Sequence, residues 1–212
     1  MRKVFFIILA LFFIVNASYA QYAGYSPVTD IARFTTEFSA ATQKTQTIKS
    51  NFVQEKNLSM LTEKIVSKGK FWFKRNNLVR MEYNQPFQYL MIINKDKVFV
   101  KDGQKENKVS ARSNKLFQQV NKIMVDCMQG SMLSNADFKT KVFESKTGYL
   151  VELVPVVKGL KELFKNINVV VDKKDYSANS IEMQEVGGDY TIIRFANKEL
   201  NTNIQDALFT IQ

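Results

Sequence analysis

The chain has 212 residues, with 30 Lys and Arg against 20 Asp and Glu and a formal net charge of +10. It contains no histidine and one cysteine, which excludes Ser-His-Asp and Cys-His catalysis, zinc sites built on imidazole and an internal disulfide. The lysines are spread along the chain without an arginine-rich block, which argues against a nucleic-acid partner.

The N-terminus has the composition of a secretory signal peptide. A basic start at 1–3 precedes an apolar run at 4–15 and the small-residue stretch "NASYA". A transmembrane anchor is the alternative, but this run is shorter than the roughly 20 apolar residues that span a bilayer. We therefore expect a signal peptide over 1–20 and a single exported domain over 21–212, long enough for a sizeable core.

The cleavage point follows from the small residues. Ser18 and Ala20 favour a cut before Gln21, and a cut after Ala17 satisfies the same rule. Because Gln21 and not a cysteine follows the favoured cut, we expect no lipid to be attached there by the bacterial lipoprotein route.

Two segments have the periodicity of amphipathic helices. The first follows Pro27 and a capping residue, Thr29 or Asp30, and the second covers 113–129, starting at Ser113 or Asn114 and ending at Gly130. The first apolar stripe consists of Ile31, Phe34, Phe38 and Ala41. The second consists of Leu116, Val120, Ile123, Met124 and Cys127, which makes Cys127 a buried small hydrophobe and not a nucleophile.

Almost all of the remaining chain alternates between apolar and polar residues, as half-buried strands do. The predicted strands are 47–56, 61–74, 78–84, 88–94, 97–102, 105–111, 137–146, 149–156, 162–171, 179–187, 189–197 and a short one near 207–211. Turn sequences such as "KRNN", "NQP", "KDGQ" and "VGGD" separate them. Consecutive strands with tight turns and few helices describe an antiparallel meander.

The stretch "GKFWFKRNNLVRMEYNQP" shows the two faces of this sheet. Phe71 and Phe73 alternate with Lys70, Trp72 and Lys74, so one face is mainly apolar and the other is rich in lysine. Two helices cannot cover a flat sheet of a dozen strands, so the sheet must curl. We predict a mainly β (α+β) fold, an incomplete antiparallel β-barrel of about 11–12 strands with helices closing the opening.

The apolar face is the candidate ligand site. Seven side chains are predicted to line one apolar surface, either as a lipid-binding cavity or as an ordinary filled core: Phe71, Phe73, Val79, Met81, Tyr83, Met91 and Ile93. Arg75 is the exception on this face. It either reaches solvent at the rim with its stem on Phe73 or donates to carbonyls of a helix over the opening.

The acidic residues give no sign of catalysis. A pair of neighbouring carboxylates could act as acid and base on a glycan, but the carboxylates on polar faces and in turns occur singly. These are Glu82, Asp96, Asp102, Glu152, Asp172 and Glu185. No phosphate-binding glycine motif or calcium loop occurs. We therefore expect no enzymatic activity, no catalytic residue, no cofactor and no metal.

Three stretches in order resemble the LolA-type outer-membrane lipoprotein carriers: "IKSNFVQEK", "GKFWFKRNNLVRMEYNQP" and "LMIINKDKVFVKD". That family has a Phe-x-Gln strand, a Gly-x-aromatic strand ending in Lys-Arg-Pro-Asn, a strand closing in a proline turn, and a hairpin to an aromatic strand. The similarity is most specific over 48–102. Asn76 stands where the family usually has proline, and "NKDK" replaces an Asp-Gly turn.

The resemblance implies an incomplete barrel with a helical lid and a cavity for the acyl chains of lipoproteins. It implies a soluble periplasmic carrier, which we expect to be a monomer, that receives lipoproteins from an inner-membrane transporter and delivers them to an outer-membrane acceptor. Arg75 matches the lid-contacting arginine of the family. The acceptor LolB shares the fold but carries a lipidated cysteine, so Gln21 favours the carrier.

Two alternatives remain at this point. The fold recurs in periplasmic stress sensors that bind lipoproteins and restrain a membrane partner, although these usually carry a second domain. A carrier of free lipids or lipid-linked glycans is equally compatible with the sequence.

Overall fold

The computed structural model describes residues 22–95, 97–103, 105–107 and 115–211, the side chains of 105–107 and 115–118 excepted. The predicted signal peptide, its cleavage point before Gln21, and the start of the second helix at Ser113 or Asn114 lie outside these residues. The strands are β1 (Ser26–Pro27), β2 (Thr47–Asn57), β3 (Ile65–Lys74), β4 (Leu78–Gln85), β5 (Tyr89–Asn94), β6 (Lys97–Asp102), β7 (Lys105–Asn107), β8 (Phe138–Glu144), β9 (Gly148–Pro155), β10 (Phe164–Asp172), β11 (Ala178–Glu185) and β12 (Tyr190–Leu200).

All twelve strands form one antiparallel sheet in the order β1-β8-β9-β10-β11-β12-β2-β3-β4-β5-β6-β7. The two outermost strands, β1 and β7, do not pair with each other, so the sheet is an open half-barrel, as predicted. We call the end that carries the β2–β3 loop (58–64) and the β4–β5 turn (86–88) the upper end. The end that carries the β3–β4 turn (75–77) is the lower end.

Helix α1 (Ile31–Lys44) begins at Asp30, whose carboxylate accepts a hydrogen bond of 2.9 Å from the backbone N–H of Arg33. This confirms one of the two predicted caps. Phe34 and Phe38 are buried as expected, but Ile31, the first residue of the helix and the head of the predicted stripe, is exposed.

Helix α2 (Lys115–Gln129) presents its apolar stripe to the concave face of the sheet, with Ile123, Met124 and Cys127 all buried. Burial raises the pKa of the Cys127 thiol, as expected for a small buried hydrophobe. A 3₁₀ turn (Ser131–Ser134) and a short helix α3 (Lys158–Lys161) complete the helical structure before the C-terminal segment. No helix in the described part of the chain is long and apolar enough to cross a membrane.

The C-terminal segment corrects the predicted strand near 207–211, because residues Asp206–Phe209 form a 3₁₀ helix. This segment lies across the outer face of the sheet, where Ile204 and Phe209 pack against Ile92 and Phe99 in a second, smaller core. The outer face is therefore not a simple lysine-rich surface facing solvent.

Lys74 and Trp72, on the outward-facing side of β3, belong to this arrangement. Lys74 Nζ donates to the carbonyl of Ile204 at 3.1 Å and lies 2.6 Å from an Asp206 carboxylate oxygen. Trp72 packs against the smaller core. The alternation predicted for β3 is nevertheless confirmed from Gly69 onwards, since Phe71 and Phe73 are fully buried.

Strand β3 begins at Ile65, four residues later than predicted, because 61–64 belong to the loop at the upper end. Gly69 pairs with Tyr83 of β4, next to a register shift between Lys68 and Gly69. A Cβ at this position would be 2.1 Å from the carbonyl oxygen of Glu82 and 2.7 Å from the ring of Phe52. The sheet therefore requires glycine here for space and not for an unusual φ.

We expect Gly69→Ala to destabilise the protein by about 1–3 kcal/mol, because the new methyl group must displace backbone. Urea unfolding measures this difference. Gly159→Ala in α3 is the matched control, since nothing lies within 4 Å of its Cβ position, and its stability should be unchanged or slightly higher. Equal stability of the two variants would contradict the close β3–β4 approach.

Candidate functional site

The strand register sorts the seven predicted residues into three rows across β3, β4 and β5. The pairs Phe71–Met81 and Met81–Met91 make a middle row. The pairs Phe73–Val79 and Val79–Ile93 make a lower row, and Tyr83 stands in an upper row between Gly69 and Tyr89. Strand pairing therefore brings all seven onto one face of the sheet.

A cavity of about 520 Å³ opens between this face and helix α2. Its apolar lining consists of Ile65, Met81, Tyr83, Pro86, Phe87, Tyr89, Met91, Val120, Met124, Phe164, Met183 and Ile193. Charged side chains, Lys56, Asp102 and Glu185, line it at the upper ends of β2, β6 and β11. The cavity thus has apolar walls and a polar mouth at the upper end of the sheet.

Three of the seven predicted residues line this cavity: Met81, Tyr83 and Met91. The other four, Phe71, Phe73, Val79 and Ile93, are buried in the same core cluster but do not border the empty space. The half-barrel interior is therefore packed in its lower row and open higher up. Contact with a ligand stays a prediction for all seven.

The far wall of the cavity was not among the predicted site residues. Met124 comes from α2, and Met183 and Ile193 come from β11 and β12. The sequence pattern is consistent with an inward-facing side chain at each position, since Met124 lies on the helical stripe and the other two lie in alternating strands. What the sequence did not reveal was that these strands face β4 and β5 across the cavity, because that depends on the curvature of the sheet.

Among the described residues, one pair of polar side chains lining the cavity is joined by a hydrogen bond, and it lies in the upper row. The Tyr83 hydroxyl donates a hydrogen bond of 3.0 Å to Gln54 Oε1. Burial, together with the neighbouring Tyr89, raises the pKa of Tyr83, so this hydroxyl stays neutral over the physiological pH range. The pair contributes hydrogen-bonding groups without charge.

Arg75 lies in the β3–β4 turn at the lower end, with its guanidinium against the C-terminus of α1. Its Nε donates to the carbonyl of Thr45 at 2.9 Å, and its Nη2 donates to the carbonyl of Thr42. The Thr42 carbonyl also accepts from the backbone N–H of Thr45. Carbonyls at a helix C-terminus carry partial negative charge, so a guanidinium is favourably placed there. Any role of this contact in opening the cavity remains a prediction.

The same turn also holds helix α2. Gln129 at the end of α2 donates its side-chain amide to Asn77 Oδ1. Asn76 and Asn77 have φ values of 70° and 61°, the geometry of a hairpin turn that proline cannot adopt. The turn therefore accommodates Asn76 where the family usually has proline. We call residues 75–77 the junction, because Arg75 contacts the C-terminus of α1 and Asn77 contacts the C-terminus of α2.

The sequence matches the family model described as "Outer membrane lipoprotein carrier protein LolA" over residues 43–212. This match extends from the last turn of α1 to the C-terminus. The chain belongs to the LolA family. No curated protein sequence matches it.

Solved structures resemble this chain at low sequence identity. A chain of the MucA/MucB complex from Pseudomonas aeruginosa matches with a TM-score of 0.51 and 10% identity, over 86% of this chain and 61% of that chain. A LolA superfamily protein from Nitrosomonas europaea gives 0.45 and 9% identity, over 85% and 97% of the two chains. The lipoprotein LppX from Mycobacterium tuberculosis gives 0.43 and 11% identity, over 81% and 96%.

The description of the family model is that of a lipoprotein carrier, and the geometry of this chain suits binding. The cavity combines a large apolar wall with a few polar groups, which is the usual construction of a small-molecule site.

We expect Phe73→Ala to destabilise the protein by about 3–5 kcal/mol, because Phe73 is packed on all sides in the lower row. Met91→Ala should cost about 2 kcal/mol or less, because part of its side chain already faces empty space. Urea unfolding of both variants provides the measurement. If Met91→Ala costs as much as Phe73→Ala, the interior is a filled core in solution and the cavity is absent.

Proposed function

We propose that the protein is a soluble periplasmic carrier that binds the acyl chains of lipoproteins and ferries them from the inner to the outer membrane. The observation that supports this most strongly is the apolar cavity between α2 and the half-barrel, in a chain of the LolA family. The inner-membrane transporter and the outer-membrane acceptor are the partners that such a route requires.

The size of the cavity fits a lipid chain. A methylene group occupies about the volume of a liquid water molecule, roughly 30 Å³, so the cavity holds on the order of 17 methylenes. That is the length of one fatty acyl chain. Cargo with several chains would require helix α2 to move away from the sheet.

Methionines supply much of the cavity wall. Met81, Met91, Met124 and Met183 come from three strands and a helix and converge on the same space. Methionine side chains are flexible and polarisable, so they adapt to chains of different shape. A wall of this kind suits a carrier of varied acylated cargo better than a site for one rigid ligand.

Exposed apolar side chains lie around the upper end of the sheet, and two of them, Ile65 and Phe87, line the cavity beside its charged groups. Of nine such large residues in the described part of the chain, eight lie near the upper end of the sheet: Met60, Leu61, Ile65, Val66, Phe87, Val156, Val157 and Val186. Exposed apolar surface of this kind marks contact with a lipid or protein surface. We infer that cargo enters and leaves at the upper end.

A regulatory module is the second candidate. A chain of the MucA/MucB complex has this fold, and there the structure contains a protein partner. The identity of what co-purifies from the periplasm separates the two functions, because a carrier retains acylated cargo and a regulatory module retains a membrane-protein partner. A glycolipid would instead indicate a carrier of other lipids.

The cavity is tested by filling it. We expect Met124→Trp, on the covering helix, to reduce affinity for a fluorescent fatty-acid probe by at least about tenfold. Displacing two methylenes at about 0.8 kcal/mol each is sufficient for that loss. The same variant, isolated from the periplasm of a Gram-negative host, should contain less acylated lipoprotein by mass spectrometry.

Met60→Trp is the matched control, because Met60 is 95% exposed in the loop at the upper end. It should bind the probe as the unmodified protein does, and both variants should keep their melting temperature within a few degrees. If the unmodified protein binds no acyl probe and carries no acylated ligand, the carrier function is wrong.

The junction at residues 75–77 suggests how release could work. A carrier must accept cargo and later give it up, so its open and closed states should differ by only a few kcal/mol. We propose that Arg75, by holding the C-terminus of α1, and Gln129, by tying α2 to Asn77, favour the closed arrangement. Cargo then enters against these bonds, and their re-formation helps to expel it.

We expect Arg75→Leu to bind acyl cargo more tightly and to hand it on more slowly. A hydrogen bond to a charged group is worth about 1.5–3 kcal/mol, so the shift should be about 10- to 150-fold. Gln129→Ala should change affinity in the same direction but less, since its bond is neutral. Probe titration and transfer of cargo to acceptor vesicles measure the two effects.

Lys70→Leu is the control for added hydrophobicity. Lys70 is exposed on the outward-facing side of β3. Lys74, next to Arg75 in sequence, is not a suitable control, because it binds the C-terminal segment and its replacement would disturb that segment. Equal affinity and transfer rate in Arg75→Leu and Lys70→Leu would make Arg75 an ordinary helix-capping residue.

A further inference from the structure

The stretch 156–165, which leads from β9 into β10, exposes apolar and cationic side chains together. Val156 and Val157 are both exposed. The lysines of this stretch are exposed as well: Lys158, Lys161 and Lys165. None of the three forms an ion pair with another described residue, and Glu162 is the one acidic residue of the stretch. Their charge is therefore available to a partner outside the chain.

Hydrogen bonds join this stretch to two neighbouring connections at the upper end. The backbone N–H of Val186, in the β11–β12 turn, donates to the carbonyl of Leu163 at 3.1 Å. At the other side of that turn, Asp189 accepts from the backbone N–H and the hydroxyl of Ser59 at 2.7 and 2.8 Å. Val186 is exposed, as is Met60 beside Ser59. Three connections thus hold their exposed apolar side chains on one surface.

The composition of this surface indicates its partner. Apolar side chains beside lysines are typical of segments that lie on an anionic bilayer, where the apolar groups enter the acyl boundary and the ammonium groups meet lipid phosphates. A bilayer is flat and contacts the tips of several connections at once, as the positions of these residues require. The formal net charge of the chain, +10, favours the same anionic surface.

We propose that the upper end of the protein docks directly on the surface of an anionic lipid bilayer. The docking face consists of Val156, Val157, Val186, Lys158, Lys161 and Lys165. Phe164 lines both the cavity and an outer recess bordered by Lys161 and Lys165, so the docking face adjoins the mouth. This contact goes beyond the proposed function, because it requires neither cargo nor a transporter or acceptor protein.

Co-sedimentation with vesicles measures the docking. The purified exported protein is mixed with vesicles of phosphatidylcholine, either alone or with an equal part of phosphatidylglycerol. We expect binding to the anionic vesicles that weakens as sodium chloride is added, because salt screens the lysines. Replacing Lys158, Lys161 and Lys165 together by Gln should weaken it about 100-fold, since each lysine near an anionic surface contributes about fivefold.

A second triple variant loses the same charge at the lower end: Lys44→Gln, Lys146→Gln and Lys174→Gln. These lysines are exposed at the end of α1 and in the β8–β9 and β10–β11 turns. Strand β10, with nine residues, spans about 30 Å between the two ends, which is about four Debye lengths at physiological salt. The lower-end variant should therefore bind anionic vesicles within about twofold of the unmodified protein.

The apolar part of the docking face is tested by replacing Val156 and Val157 together by Ser. Serine is favourable at the position of Val157, which precedes the short helix α3, so the fold should be retained. Binding to anionic vesicles should weaken at least about fourfold, the effect of a single methylene withdrawn from lipid. Ile31→Ser is the matched control, because Ile31 is exposed on α1 away from the upper end. Melting temperatures show that each variant is folded.

A fluorescent fatty-acid probe, titrated into the same variants, distinguishes failure of the docking from failure of the carrier function. If the protein ignores anionic vesicles, binds both kinds of vesicle equally, or loses as much binding in the lower-end variant, the docking face is wrong. Probe binding would then still support a carrier, with a protein as the partner of this surface. If vesicles bind as described and no acyl probe does, the docking stands and the carrier function fails.

Discussion

One constraint governs this fold: a twelve-stranded sheet with a single apolar face must be covered, and only two helices of more than three turns are available among the described residues. Apolar surface exposed to water is unfavourable in proportion to its area, so the sheet curls and buries much of that face against itself. Helices α1 and α2 cover most of what remains. The cavity is the part of the concave face that neither curvature nor helices fill completely.

Buried contacts at the lower end of the sheet stabilise the domain, so the upper end can be incompletely packed. There the row of Phe73, Val79 and Ile93 is buried and does not line the cavity. Aromatic rings add to this on α1, where Phe34 lies 4.7 Å from the ring of Tyr149. Because these contacts lie away from the mouth, a change of packing around the cavity need not unfold the domain.

How far the sequence predicted this arrangement depends on the range of the interactions involved. Alternation along β3 and β4 predicted correctly that Phe71 and Met81 face inward, because the two faces of a strand are a local property. The same reasoning failed near 207–211: a strand needs a free edge to pair with, and this segment instead lies across the outer face of the sheet. The facing wall around Met183 was missed for a related reason, since curvature is a property of the whole sheet and not of one strand.

The size of the cavity also bears on stability. At about 24 cal/mol per Å³ of buried void, an empty and sealed space of 520 Å³ would cost about 12 kcal/mol, comparable with the whole stability of a typical domain. A sealed void of this size is therefore implausible for a free carrier. Access of water at the mouth and inward movement of flexible methionines lower the cost, and an acyl chain removes it by restoring the missing contacts. The same under-packing that weakens the upper end is thus a source of affinity for a chain-like ligand.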